Sequence, residues 1–264
     1  MIFYLSDTGN TGWAARTIAE TTGDRLQFIP ELLRTERLTF TLAEGERLGF
    51  CFPVHGWRPP KIVREFVRQL SVHAEGHYVY ALCTAGDNIG ETMDIFRSDL
   101  SAKGIALNAA FSLIMPESYL GLPFFNLDSA RKEQEKKAKA AILLKGYVGE
   151  IVDRQSVSHL VLGRWPRINS RVLGGYFTKH LVNDKKFVVD SRLCVKCGIC
   201  ADVCPVKNVI GGLGYEPQWK HDGSCLACFA CYHHCPHHAI NWGSLTKHKG
   251  QYFFVAPRKV DTEG

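Results

Sequence analysis

Eight of the chain's ten cysteines fall in two copies of one pattern, CVKCGICADVCP from Cys194 to Pro205 and CLACFACYHHCP from Cys225 to Pro236, set 31 residues apart. Both copies read C-x2-C-x2-C-x3-C-P. Thiolates are soft ligands that suit iron and zinc alike. A four-coordinate zinc site, however, needs no third C-x2-C step and no repeated C-x3-C-P ending. Three thiolates spaced by two residues wrap one corner of a cuboidal [4Fe-4S] cluster, and the fourth, before the proline, reaches toward the other cluster. The spacing therefore predicts crossed ligand sets: Cys194, Cys197, Cys200 and Cys235 on one cluster, and Cys225, Cys228, Cys231 and Cys204 on the other. The chemistry such sites perform is one-electron transfer.

On these residues the segment from roughly 187 to 242 resembles the bacterial two-cluster ferredoxins along its whole length. Pro205 and Pro236 are expected to fix the turn after each bridging cysteine, and Gly198 to allow a close backbone approach. His233, His234, His237 and His238 crowd the second motif. With all eight cysteines present, these histidines are expected at the surface or as outer hydrogen-bonding groups. A segment with so few large apolar residues is expected to draw its fold from its clusters. Lys196 and Lys207 are expected to favour the more negative reduced state.

A second set of chemical residues lies near the start, in SDTGNTG at residues 6–12. Ser6, Thr8 and Thr11 supply hydroxyls and Gly9 lets backbone approach closely, which suits a phosphate held at a helix N-terminus. No Lys follows as in GxxxxGK[ST], and the spacing is not GxGxxG, so triphosphate and dinucleotide readings lose support.

These residues need a scaffold, and the first part of the chain alternates strand and helix patterns. Ile2 to Ser6 is a short apolar strand, followed by helical spacing at Trp13, Ala14, Ile18 and Ala19. Leu48 to Pro53 and Tyr78 to Thr84 are near-continuous apolar runs, as in strands buried on both faces, with Cys51 and Cys83 as buried thiols within them. Each run precedes a helix pattern, the first with Ile62, Val63, Phe66, Val67 and Leu70 on one face, the second with Met93, Phe96 and Leu100. Ile105 to Met115 supplies a fifth strand, and a long charged helix follows, its Arg131 to Lys139 stretch read as a solvated face. This is an α/β pattern: a doubly wound, five-stranded parallel sheet whose ligands bind beyond the carboxyl ends of the strands.

S-x-T-G-x-T after an N-terminal strand resembles the flavodoxin phosphate loop for flavin mononucleotide (FMN), and residues 1 to about 150 are similar to that family in the order and length of elements. The resemblance implies Ser6, Asp7, Thr8, Gly9, Asn10 and Thr11 around the phosphate. It implies Pro53, Val54, His55, Gly56 and Trp57 beside the isoalloxazine ring, with Trp57 as the stacking aromatic. Thr84, Ala85, Gly86, Asp87, Asn88 and Gly90 form the other flavin loop, although it lacks the family's usual aromatic. Tyr119, in MPESY at the end of the fifth strand, either meets the ring or packs in the interior.

The whole chain resembles the flavodoxin-ferredoxin fusion family. The expected layout is a flavodoxin-like domain at 1–153, a basic, partly helical connector at 154–186, and a small α+β two-cluster ferredoxin-like domain at 187–264. Residues 1–150 hold 17 Lys+Arg against 18 Asp+Glu, and residues 151–264 hold 15 against 8. Two clusters of roughly −2 each offset much of that excess, so nucleic acid is not an expected partner. No run of about eighteen uncharged apolar residues spans a bilayer, and no leader pattern follows Met1, so the expected location is the cytoplasm. The resemblance implies electron transfer between FMN and two [4Fe-4S] clusters. Three roles are open: a carrier that docks with redox protein partners, a reductase of a small quinone-like acceptor, or a ferredoxin whose flavodoxin-like part holds no cofactor.

Overall fold

Both faces of the central strands are apolar, so the chain must cover the sheet on both sides. The computed structural model describes residues 1–255. Its first part runs β1 (Ile2–Tyr4), α1 (Asn10–Thr22), β2 (Leu26–Phe28), α2 (Ile29–Arg34), β3 (Thr39–Phe40), β4 (Leu48–Pro53), α3 (Lys61–Gln69), β5 (Ser71–Val72), β6 (Val79–Ala85), α4 (Thr92–Ser101), β7 (Ala109–Ile114) and α5 (Ala130–Val152). A short β8 (Ser158–His159) follows.

The main sheet is parallel, in the order β2-β1-β4-β6-β7-β8. Without β8 this is the flavodoxin-like winding, which steps from β1 outward to β2 and then back across to β4. That reversal opens a crevice beyond the carboxyl ends of β1 and β4, between residues 6–12 and 53–60. The expected five-stranded sheet is corrected to six. Two polar residues, Ser158 and His159, add to the edge of β7 because backbone pairing there needs no apolar side chains.

Side chains alternate across β4 and β6 into two cores. Phe3, Phe50, Phe52, Phe66 and Phe96 fill one face with α3 and α4, whereas Ile18, Tyr80, Phe111 and Tyr147 fill the other with α1 and α5. Gly49 is required here, since a β-carbon would overlap the Tyr80 ring. Truncating a buried phenylalanine such as Phe50 costs about 3–5 kcal/mol, so these rings fix the strand ends that carry the loops.

The connector then turns helical as α6 (Pro166–Ile168), a π-helical turn (Asn169–Leu173) and α7 (Gly174–His180). It lies across two of the loops. Ser170 Oγ accepts from the Glu91 N–H at 2.7 Å, and Arg58 donates to the Ser170 carbonyl at 2.9 Å.

The last part comprises β9 (Phe187–Val189), α8 (Ile199–Asp202), β10 (Val209–Gly212), β11 (Tyr215–Trp219), α9 (Ala230–His233) and β12 (Ile240–Trp242), with antiparallel pairs β9-β12 and β10-β11. It has more core than its composition suggests. Phe187 stacks on Trp219 at 5.4 Å and meets Trp242 edge-on at 4.6 Å, with Phe229 and Tyr232 closing the cluster. Tyr119 and Leu120 of the first part pack into the same cluster. Residues 256–264, which complete the expected third segment, lie outside the described residues. Among the described residues no helix is long and apolar enough to cross a membrane.

Candidate metal centres and the adjoining cavity

The 31-residue sequence repeat is also a backbone repeat. Lys196 and Ala227, Gly198 and Phe229, and Lys207 and His238 are paired at that interval, and all six have positive φ. These left-handed turns wrap the chain around the thiols. Gly198 fits without strain, and a β-carbon there would press on Leu213 N at 2.8 Å, whereas Phe229 holds the same conformation at a cost offset by its aromatic packing. After each bridging cysteine a backbone N–H donates to sulfur: Asn208 to Cys204 at 3.2 Å and Ala239 to Cys235 at 3.3 Å. Such bonds stabilise thiolate charge and tune a cluster.

The eight thiols divide between two hollows. Cys194, Cys197, Cys200 and Cys235 line one, and Cys204, Cys225, Cys228 and Cys231 line the other. This is the partition that crossed ligation requires. Among the described residues no three His, Cys, Asp or Glu side chains converge as ligands of one bare ion. The thiols stand around a space. Burial pushes the Cys200 thiol up to about 11 and Cys225 to about 12, and holds Cys228 and Cys231 well above the ordinary thiol range. Such groups give up their protons to a metal far more readily than to water. Lys196 lines the first hollow, while Lys207 donates to the carbonyl of Asp202 at 2.9 Å.

Beyond the strand ends lies a cavity of about 240 Å³. Of the residues expected around FMN, Asp7, Thr8, Asn10, Thr11, Pro53, Val54, His55, Gly56, Trp57, Thr84, Ala85, Gly86, Asp87 and Asn88 line it. Ser6, Gly9 and Gly90 stand behind the wall. Ser6 Oγ accepts from the Gly12 N–H at 3.0 Å, Gly9 takes a left-handed turn under Phe254, and Gly90 is pressed against Ser170 and Trp57. The hydroxyls of Thr11 and Thr84 are 2.7 Å apart, and His55 Nε2 is 2.9 Å from Asp7 Oδ2. Among the described residues Asp7 Oδ1 and Asn88 Oδ1 are buried without partners, leaving two acceptors for a donor brought by a ligand. Because α1 begins at Asn10, its first-turn N–H groups have no intrahelical partner.

Other wall residues come from MPESY, the segment expected near the ring, and from two elements not expected there. Glu117 packs over Gly86, and burial holds its carboxyl above the usual carboxylate range despite N–H donation from Ser118 and Tyr119, each at 2.9 Å. Tyr119 lines the cavity and also meets Phe177, Phe229 and Phe125 edge-on, so the two alternatives for it are not exclusive. Phe177 comes from α7, and Leu226, Ala227 and Cys228 come from the second cysteine motif. The stretch read as a solvated helix face is only partly so. Lys136 turns inward to Gly86 O and Asp128, both at 2.6 Å, and Lys137 lies 5.2 Å from the ring centres of both Tyr252 and Phe254. A helical wheel of 131–139 would have separated these two, since 136 and 137 border α5's buried stripe at Ala140 and Leu144.

The end of the described chain returns to α1. The Phe254 N–H donates to Thr8 O at 2.7 Å, and its ring stacks on Trp13 at 5.1 Å. His233 bridges the parts, with Nε2 donating to Ser118 O at 2.7 Å and Nδ1 accepting from the Tyr252 N–H at 3.1 Å. His234 stacks on Phe253 at 4.6 Å, and His237 lines the first thiol hollow. Cys51 and Cys83 are buried strand thiols, as expected.

Residues 186–236 match the family of 4Fe-4S dicluster domains. No curated protein matches the chain. Among solved structures, a candidate flavoprotein from Bacteroides uniformis is 19% identical, with a TM-score of 0.34 over 43% of this chain and 88% of that one. Rubredoxin oxygen:oxidoreductase from the anaerobe Desulfovibrio gigas is 16% identical, with a TM-score of 0.30 over 57% of this chain and 36% of that one. By its winding and by the family match, the chain joins an N-terminal flavodoxin-like domain to a C-terminal 4Fe-4S dicluster ferredoxin domain.

Proposed function

We propose that the protein transfers electrons internally between FMN held in the cavity and two [4Fe-4S] clusters, and exchanges them with redox protein partners. The observation that carries this reading is Cys228, which stands in the second thiol set and in the wall of the cavity as well. FMN would accept electrons in pairs and release them singly, whereas a cluster passes one at a time.

The chain's own groups suit that cofactor. Thr8, Thr11 and the first-turn N–H groups of α1 would hold the phosphate, with Ser6 and Asn10 keeping the loop in shape. Asp7 Oδ1 and Asn88 Oδ1 would accept from hydroxyl or N–H groups of the ligand. Trp57 and Tyr119 offer aromatic surface to a flat ring. The two thiol hollows would each hold one cluster through the crossed cysteine sets.

The test is anaerobic purification followed by iron, sulfide and flavin analysis, then rapid reduction of the clusters with absorbance followed at flavin wavelengths. About eight irons and one flavin per chain are expected, with a flavin reduction rate independent of protein concentration. A rate that scales with concentration overturns internal transfer. Iron without flavin selects a cofactor-free docking domain.

One observation favours a second reading, reduction of a small acceptor in the cavity. The His55 and Asp7 side chains, 2.9 Å apart in its wall, could hold a proton for transfer. A His55→Gln variant that turned over quinones at the wild-type rate would argue against it.

A further inference from the structure

From Gln155 to Asn183 the sequence contains no Asp or Glu, while Arg164, Arg167, Arg171 and Lys179 fall within it. Its helical part is amphipathic in an unusual sense. The inner side is Ser170, Gly174 and Phe177, packed on the loops around Gly56 and Gly90. The outer side is apolar: Trp165 is 64% exposed, Ile168 50%, Val172 63% and Tyr176 62%. Ile168, Val172 and Tyr176, four residues apart along the helical connector, stand on its exposed side, with Trp165 just before its first turn. A helix docked on a globular domain normally turns such a stripe inward, and a contiguous exposed stripe marks an interaction surface.

A second feature lies on the flank of the same helix. A hollow of about 270 Å³ is lined by Arg58, Lys61, Arg64, Arg68 and Lys179, together with Gly175 and Thr178 of α7. Among the described residues, Asp99 pairs with Arg64 through two bonds of 2.6 and 2.8 Å and also lies near Arg58. Arg171 is paired with Glu91 at 2.7 Å, leaving Arg164, Arg167 and Lys179 along the stripe.

We propose that this face attaches the protein peripherally to anionic membrane surfaces. Trp165 and Tyr176 are residue types that settle at the headgroup level, Ile168 and Val172 would reach into the acyl boundary, and the basic flank would meet lipid phosphates. Charge decides for lipid over a second copy of the chain, because a homodimer through this face would bring two uncompensated basic flanks together. The attachment is independent of what the cavity holds. Since Phe177 on the helix's inner side is part of the cavity wall, it would hold that cavity within one helix diameter, about 10 Å, of the lipid.

Sedimentation of the full anaerobic chain with vesicles tests this. Vesicles of phosphatidylcholine containing phosphatidylglycerol should bind about tenfold or more tightly than phosphatidylcholine alone, with affinity falling as salt rises. The variant Ile168→Ser/Val172→Ser/Tyr176→Ser should lose about tenfold or more of that binding at unchanged iron content. Arg164→Gln/Arg167→Gln should bind more weakly and with less salt dependence. Protein remaining in the supernatant at low salt overturns the proposal, and so does equal binding by the triple variant. A concentration-dependent dimer abolished by the triple variant would assign the face to a second copy and overturn it too.

Discussion

The Tyr252 hydroxyl donates to Asn10 Oδ1 across 2.6 Å, joining the end of the described chain to the first residue of α1. Asn10 Nδ2 in turn donates to Pro116 O at 3.2 Å, so one side chain ties the tail, the loop at α1 and the loop after β7 together. Both bonds are buried, and in the proposed role a phosphate-holding loop would gain from being set before the ligand arrives.

Tyr252→Phe removes one of these bonds and leaves the ring in place. It should weaken FMN binding about two- to tenfold, the equivalent of about 0.5–1.5 kcal/mol, with iron content unchanged. Fluorescence titration with FMN measures it. Unaltered affinity would show that the tail does not shape the loop.

The division of the thiols between two hollows makes paired substitutions diagnostic of crossed ligation. Cys194→Ser/Cys235→Ser takes two thiols from one hollow and should leave one intact cluster of about four irons per chain. Cys194→Ser/Cys204→Ser takes one from each and should damage both. If instead the second pair leaves one intact cluster and the first leaves none, each motif binds its own cluster.

The cysteine motifs were legible because their information is local: two C-x2-C-x2-C-x3-C-P runs can be read straight from the sequence, and the dicluster family match falls on them. The same holds for β4 and β6, whose unbroken apolar runs require cover on both faces. β8 was not legible, since Ser158 and His159 join the sheet by backbone bonds at its edge and carry no apolar signature. The inward turn of Lys136 was legible on a helical wheel, but its partner Gly86 is brought to it by the winding of the sheet. Cys228 could be recognised as a cluster thiol from its motif, but its place in the cavity wall depends on how the two domains dock. Phe177 sat in a connector read only as partly helical, and its role follows from Gly56 lacking the β-carbon that would strike its ring.

That close approach can be tested at Gly174, where a β-carbon would overlap the Gly56 carbonyl. Gly174→Ala should lift the connector helix from the loop at a cost of about 1–3 kcal/mol, weakening FMN binding while both clusters remain. Gly175→Ala is the control, because nothing lies within 4 Å of a β-carbon there. A helix-favouring alanine at 175 should leave flavin affinity unchanged or slightly stabilise the protein. Equal effects from the two variants would discount the contact.

His233 should make the seam between the domains sensitive to acid. Burial, opposed only partly by its bond to Ser118 O, holds the imidazole down to about 4, and both nitrogens are engaged in its neutral form. An imidazole whose folded pKa is depressed takes up its proton first in the opened state, where the ordinary value is about 6.5. Its contribution is therefore complete above about pH 6.5 and is lost as pH falls toward 4, by about 2 kcal/mol between pH 7 and pH 5. Hydrogen exchange at the Tyr119 and Tyr252 amides, corrected for intrinsic rates, should show that loss of protection. His233→Gln should give less protection at pH 7, having lost a matched pair of bonds, and little further change down to pH 5. A variant that retained the wild-type slope would mean that another group governs the seam.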